Sequence, residues 1–424
     1  MNIKEKYLNI SKTLFFLLVL IIPLNLGKHI VINDAYVWGI LIDYLIPTIY
    51  VQDIIAVLIV FFWILGTYPL KISLSKFFER REMQFSSLFI FSSLFSVLSA
   101  QRVLPSLYFW IRLSLYFLLF VYITKEISIQ KHFFKVLSVV SLSVLLSGLL
   151  GIFQFIKQGA VFNNYLFFGE QPYSVSTWGV VHKEILDHFL VPAYGTFRHS
   201  NTFGGFLCVF LLWLLPYLKN NRKYLISFIV GSLALVFTLS YSAWLVFVLG
   251  IFLHVIFSIN VKKIKYKKIL ISRAVMIFCV ALLIIPVFSV FSKSLNPSIF
   301  RRSDLLTASY RLIGKYTLFG VGLNNFTVLV DMYAPHSSDI RFTQPVHNVF
   351  ALVLAETGVF TFAFFVVFLF LGIRKTLTPG YFHVLFISLM QILILMSFDH
   401  YFLTINQTLL MFWIIMGLVF SESY

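Results

Sequence analysis

Long apolar runs separated by short polar stretches organise the whole chain. Runs of spanning length fall at about 13–27, 50–66, 84–100, 106–124, 133–156, 198–218, 224–240, 242–259, 272–292, 347–373, 381–398 and 403–420. A hydrocarbon layer about 30 Å thick takes about 20 helical residues to cross. Helices satisfy their own backbone groups there, where water cannot. The pattern predicts about twelve transmembrane helices. Serines thin the run at 84–100, and a very tight turn joins the pair around 224–259. Two longer polar segments stand apart, about 157–197 and 293–346.

Composition supports this picture. The 424 residues are 60% hydrophobic and 12% charged, with a mean hydropathy of +0.92, whereas a soluble domain is about 25% charged. Fifty phenylalanines spread along the chain leave no stretch for a separate soluble domain. The expected fold class is an all-α integral membrane protein: one polytopic domain over 1–424, with 293–346 as a large loop within it. Cys208 and Cys279 lie in apolar runs on different helices, so they read as buried hydrophobes rather than as a disulfide.

The formal charge of +17 raises nucleic-acid binding, and its distribution argues against it. Basic residues cluster between apolar runs, the mark of membrane topology rather than of a binding face. With the N-terminus in the cytoplasm, the inside segments hold 21 of the 33 basic residues. They include Lys4, Lys6 and Lys12, then Lys71, Lys76, Arg80 and Arg81, and finally Arg374 and Lys375. Both termini then face the cytoplasm, and the two long segments face the periplasm or exterior. The first run lacks a small-residue cleavage site and precedes Lys28–His29–Ile30, so it is expected to be a retained helix. The Lys262–Lys268 cluster is assigned to anionic lipid head groups or water, with no catalytic role.

Arginines on the outer side, which topology normally depletes, suggest recognition of an anion. By topology, several polar groups meet on one outer rim. His347, two residues after Pro345, opens a helix, and Arg198 opens another. Asp399–His400–Tyr401 closes a third, and Gln101–Arg102 sits in a short turn. Arg112 lies about 9 Å into its helix, a costly depth for an ionisable group. The partly positive helix entrance favours a neutral His347, a suitable base for a sugar hydroxyl. Arginine forks suit phosphate oxygens and can stabilise charge on a departing diphosphate. The chemistry suggested is glycosyl transfer from a lipid-linked diphosphate.

The motifs that carry this chemistry also carry a resemblance. Gly195–Thr196–Phe197–Arg198–His199–Ser200–Asn201 with Phe203–Gly204–Gly205 resembles a motif of the O-antigen ligase and polymerase superfamily of bacterial envelopes. So do Arg311 with Phe319–Gly320–Val321–Gly322–Leu323–Asn324–Asn325–Phe326, His347–Asn348 with Glu356–Thr357–Gly358, and Asp399–His400–Tyr401–Phe402. By motif the resemblance covers about 195–420. It implies a twelve-helix inner-membrane enzyme that needs no metal or other cofactor. The implied donor is a glycan on undecaprenyl diphosphate, and the implied acceptor is the lipid A core or another glycan. It also implies His347 as base and Arg198 and Arg311 as diphosphate binders, with Arg301 and Arg302 in the right loop. Arg112 is a further diphosphate candidate, and Asn348, Asp399 and Arg102 are supporting residues. Tyr241 stands where relatives often carry an arginine, and Arg112 or Arg102 is the suggested substitute.

Plainer readings stand beside these. His347 could be a helix-cap residue without chemistry, and Arg301 and Arg302 could be solvated loop residues. Glu356 lies about 180° around the helix from His347 and about 13 Å deeper, which marks it as a buried packing or hydrogen-bonding group. In the loose cluster of His182, Glu184, Asp187 and His188, Glu184 and His188 stand at i,i+4 but His182 is off their face, which argues against a metal site there. Gly320–Val321–Gly322 is expected to be a hinge, since no strand precedes it as a phosphate loop requires. Tyr165–Phe168, Tyr173 and Trp178 suit either the membrane surface or stacking against sugar rings, and the membrane surface is the favoured reading. The nearest functional rival is a polymerase joining lipid-linked repeat units. A protein-directed transferase is less favoured, since such relatives commonly carry a further C-terminal domain. A flippase for lipid-linked glycans would place cations through the middle of several helices.

Overall fold

The computed structural model describes residues 3–68, 79–185, 188–219, 221–258, 297–335, 341–378 and 383–421. Helices occupy eleven of the twelve expected runs, and 272–292 lies outside the described residues. In chain order they are α1 Ile3–Leu20, α2 Val51–Thr67, α3 Arg81–Leu98, α4 Val103–Glu126, α5 Ile129–Lys157, α6 Ser200–Leu214, α7 Arg222–Phe237 and α8 Tyr241–Ser258. After α9 Pro297–Lys315 and α10 Phe326–Tyr333 come α11 Val349–Thr376, α12 His383–Phe398, the short α13 Tyr401–Thr404 and α14 Asn406–Val419. Among the described residues, four helical stretches are long and apolar enough to cross a membrane: Val103–Glu126, Ile129–Lys157, Ser200–Tyr217 and Val349–Thr376. Four shorter apolar helices, Val51–Thr67, Tyr241–Phe257, His383–Phe398 and Asn406–Val419, accompany them.

The centre is formed by the helices that neighbouring helices cover on every side, while the equally apolar α2 and α8 leave one face exposed, as a span facing lipid does. Every residue of α14 is buried, as is nearly all of α6 and α12. α14 packs on α4, α11 and α12, while α5 pairs with α7 and α1 with α2. Aromatic rings fill the central seam. Phe120 lies 5.4 Å from Phe368 and 5.8 Å from Trp413, both edge-on. Gly204 and Gly205 let α6 approach closely, because a Cβ on Gly205 would lie 2.4 Å from the Tyr401 hydroxyl.

The long polar segments are more ordered than a loop reading suggests. α9 and α10 lie within 293–346 and pack on each other and on α11. α11 is broken at Gly358 (φ 76°), where a Cβ would meet the Leu318 carbonyl oxygen at 2.1 Å. The backbone carbonyls and the N–H freed by the break are recaptured by the preceding loop. Val321 N donates to Ala355 O (2.9 Å), Gly322 N to Glu356 O (3.0 Å) and Val359 N to Thr317 O (2.9 Å). The Glu356 carboxylate accepts from Asn324 N (2.9 Å) and Phe326 N (3.1 Å). Gly320–Val321–Gly322 is thus a docked strap rather than the expected hinge, and Glu356 is the buried hydrogen-bonding group expected.

Residues 27–50, between α1 and α2, form a cap. β1 Gly27–His29 pairs antiparallel with β4 Thr48–Tyr50, and β2 Tyr36–Val37 with β3 Ile40–Leu41. Ala35, Val37, Ile42, Leu45 and Ile46 share a small core with Val328 of α10. The 158–199 segment carries β5 Lys183–Ile185, paired with β6 His188–Leu190. Its anchor is buried Glu170, which accepts from Val161 N and Phe162 N (both 2.7 Å) and from Gln154 Nε2 (2.7 Å). The Tyr165 hydroxyl accepts from Gly27 N (3.0 Å) and donates to Asn25 O (2.5 Å). It therefore packs on the cap, and Tyr173 is buried, so neither takes the membrane-surface position expected. Phe168 and Trp178 remain exposed.

Candidate functional site at the rim of the bundle

Four chain segments meet where α11 begins. Asn348 caps α11: its Oδ1 accepts from Ala351 N (2.9 Å) and its Nδ2 donates to Ser397 O (3.1 Å). That second bond ties the start of α11 to the end of α12. His347 and His400 consequently face each other edge to face, with ring centroids 5.1 Å apart. Asp399 lies between the histidines and Arg302 of α9. Its Oδ1 accepts from His400 N at 2.8 Å and lies 3.8 Å from His400 Nε2. Its Oδ2 lies 3.9 Å from Arg302 Nη2. Arg302 Nη1 also donates to Phe398 O (3.4 Å).

The cap adds a side that nothing in the residue pattern signalled. Tyr44 sits edge-on to His400 at 5.5 Å, and its carbonyl accepts from Asn324 Nδ2 (3.0 Å). Next to it, Asp43 Oδ2 accepts from Arg198 Nη2 at 3.1 Å. His199, the residue after Arg198, caps α6 through its Nδ1, which accepts from Asn201 N (3.2 Å). A continuous polar row thus runs Arg198–Asp43–Tyr44–His400–His347–Asp399–Arg302.

Electrostatics set the protonation of this row. Burial, helped by Arg302, His400 and His199 and opposed by Asp399, pushes the pKa of His347 down to about 3. Burial likewise takes His400 down to about 4, against the pull of Asp399. Burial raises the Asp399 carboxyl, but positive charge on His347, His400 and Arg302 outweighs it and holds the group below the usual carboxylate range. At neutral pH both imidazoles are therefore uncharged, and Arg302 is the cation left beside Asp399. Burial pushes the Tyr44 hydroxyl up to about 12, so it is a neutral donor.

The remaining expected residues lie apart from this row. Arg112 is buried and ion-paired with Asp53 (2.9 Å). Its guanidinium lies 5.0 Å from the Tyr50 ring and 4.7 Å from the Tyr108 ring. It also bonds the Thr48 carbonyl, so it pins β4 to α4 rather than reaching for an anion. Arg102 is likewise committed to the cap: its Nη2 donates to Tyr36 O (3.1 Å) and its Nη1 lies 4.0 Å from Asp34. Arg311 Nη1 donates to Tyr333 O (2.9 Å), tying α9 to α10. Arg301 lies 6.0 Å from the Phe342 ring, with its Nε buried and unpartnered. Of the adjacent pair, Arg302 is the one that faces Asp399.

Neither substitute suggested for the arginine missing at Tyr241 lies beside that residue. Lys183 of β5 does, with its Nζ 5.1 Å from the Tyr241 ring. Burial, and then the charge of Arg302, lower its pKa. Among the described residues no carboxylate is within ion-pairing distance of Lys183. Of the loose metal candidates, His182 Nε2 contacts Val175 O (3.0 Å), while Asp187 lies outside the described residues. Donor atoms close enough to share a metal occur instead, among the described residues, in His347, Asp399 and His400.

This arrangement joins an uncharged imidazole, an ionised carboxylate and flanking cations at one end of an apolar bundle. No curated protein matches the chain. A family model described as O-antigen ligase matches residues 226–366, which include Arg301, Arg302, Arg311 and His347 but stop short of Asp399. Its members are ligases or polymerases of membrane glycosyltransferase type, and the helices agree with a multi-pass bacterial membrane protein. That match, on a helical chain with membrane-length apolar helices, makes residues 226–366 similar to the O-antigen ligase family and supports a place in that superfamily.

Proposed function

We propose that the protein is an inner-membrane glycosyltransferase whose rim site faces the periplasm. It moves a glycan from undecaprenyl diphosphate to a lipid A-core acceptor. The observation that carries this reading is the placement of neutral His347 beside ionised Asp399, with Arg302 on the other carboxylate oxygen. The acceptor hydroxyl approaches His347, which takes its proton as the oxygen bonds the anomeric carbon. The bond from that carbon to the diphosphate breaks, and the electron pair leaves with the diphosphate. Arg302, Lys183 and Arg198 hold that growing charge. Asp399 keeps Arg302 oriented and, through His400 N, fixes the second imidazole. No metal takes part in this scheme.

A polymerase extending lipid-linked repeat units would use the same groups with another acceptor. Transport is less well supported: Arg112, the intramembrane cation on which it would rest, is neutralised by Asp53. Reconstitution with an undecaprenyl-diphosphate-linked repeat unit, with and without lipid A core, tests the reading. Glycan on the core establishes a ligase, and a ladder of carrier-linked chains without core establishes a polymerase. No glycosidic product with an active donor would overturn both.

A further inference from the structure

Three electron-pair donors converge at the rim. His400 Nδ1 lies 2.7 Å from Thr404 Oγ1, and that hydroxyl also donates to the His400 carbonyl (3.3 Å). This pattern assigns the imidazole hydrogen to Nδ1 and leaves Nε2 a bare lone pair. Nε2 faces Asp399 Oδ1 at 3.8 Å. One donor atom from each of His347, Asp399 and His400 lies within 4.8 Å of the others. His347 Nδ1 is itself buried without a partner. Facing acceptors at a largely buried site are stabilised by something positive placed between them.

Two neutral imidazoles and one carboxylate are a donor set suited to borderline transition metals, and three protein ligands with one open position are typical of an accessible zinc site. At bond lengths of about 2.0–2.1 Å, tetrahedral donors stand roughly 3.3 Å apart. The three groups need to close by only about 1.5 Å. Thr404 supplies the outer contact that orients a ligating histidine. Arg302 occupies Asp399 Oδ2, which leaves Oδ1 for an ion.

We propose that His347, Asp399 and His400 bind a zinc-class dication at this rim. The bound ion takes the place where an acceptor hydroxyl would meet His347, so zinc inhibits transfer rather than assisting it. The inhibition rests on the transferase reading, and the binding does not.

The test is titration of the purified full-length protein in lipid nanodiscs, with Zn2+ by calorimetry and with Co2+ by visible absorption. One equivalent and a tetrahedral cobalt spectrum are expected. His400→Ala and Asp399→Asn should each weaken binding by about 100-fold or more, and Thr404→Val by about tenfold, the scale of outer-contact losses. His199→Ala should bind as wild type does. The inference is overturned if wild type binds no Zn2+, or if Thr404→Val and both ligand variants bind unchanged. Transfer that depends on His347 in a protein that binds no zinc would sink this inference alone. Zinc binding without any glycosidic product would sink the transferase reading alone.

Discussion

Arg198 and Asp43, 155 residues apart in sequence, are joined across the rim by a 3.1 Å bond between Nη2 and Oδ2. The carboxylate is largely exposed, with 62% of its side-chain surface open. Such pairs contribute about 0–1 kcal/mol. Asp43 therefore holds Arg198 weakly, and under the proposed transfer a donor diphosphate would displace it at little cost. Asp43→Ala should leave the melting temperature nearly unchanged and lower the donor KM, by no more than about fivefold. Arg198→Lys keeps the charge but loses the fork and should cut kcat/KM tenfold or more. Steady-state kinetics on both variants decide the point, and an unchanged Arg198→Lys enzyme would reduce Arg198 to a topological charge.

Transfer should persist into acid. An ordinary histidine with a pKa of about 6.5 would be roughly nine-tenths protonated at pH 5.5. His347, held down to about 3, stays a free base there. The rate at pH 5.5 should remain within about twofold of that at pH 7, and His347→Ala should abolish transfer at both. A limb falling through pH 6.5 would contradict the burial argument.

Stability should show the opposite trend. His347 and His400 both titrate lower in the fold, at about 3 and about 4, than in the unfolded chain. Between the unfolded value of about 6.5 and those lower values, the unfolded state binds more protons. Each group then removes up to roughly 1.4 kcal/mol of stability per pH unit as pH falls through that window. Thermal unfolding in detergent should show the melting temperature dropping from pH 6.5 to pH 4.5. His400→Gln should make that drop shallower.

Lys183 beside Tyr241 gives a compensation test. Lys183→Ala should raise the donor KM about tenfold, the scale of one charge-assisted phosphate contact. Adding Tyr241→Arg to that variant should recover much of the loss, because it returns a cation to the same corner of the site. Failure of the double variant to recover would remove Lys183 from the diphosphate set.

The Arg112–Asp53 pair should behave as architecture. Either Arg112→Ala or Asp53→Ala leaves a buried charge unpaired, at a cost of about 3–5 kcal/mol. The Arg112→Leu and Asp53→Leu double variant should be milder than either single change. Donor KM in any folded fraction should stay at the wild-type value, and a selective KM rise in Arg112→Ala would restore Arg112 as an anion binder.

How much of this was legible in the residues follows from range. Helices came from local apolar runs, so α2, α5, α8 and α11 lie within a few residues of expectation. His347, Asn348 and Asp399 came from motifs at helix ends, where position along a span also fixes depth. Arg302 could not be separated from Arg301, since only the fold decides which of two adjacent side chains meets Asp399. The cap was invisible for a related reason. Residues 27–50 have neither a spanning run nor a clean alternation, and their structure comes from contacts with Val328, Asn324 and Arg198. Depth alone marks Arg112 as a diphosphate candidate, and its partner Asp53 sits on another helix, where the local sequence does not show it. His199 and His400 stood within the quoted motifs, and their places directly after Arg198 and Asp399 were the signal for them.

The break at Gly358 divides α11 into two levers. The short limb, from Val349 to Thr357, is clamped to the 317–326 strap and carries His347 at its tip. The long limb is seated separately in the bundle, with Phe365 against Phe89 and Phe368 against Phe120 and Trp413. The position of His347 is therefore set locally, by the strap and by the bond from Asn348 to Ser397 O, and the register of the longer limb enters it only through the joint.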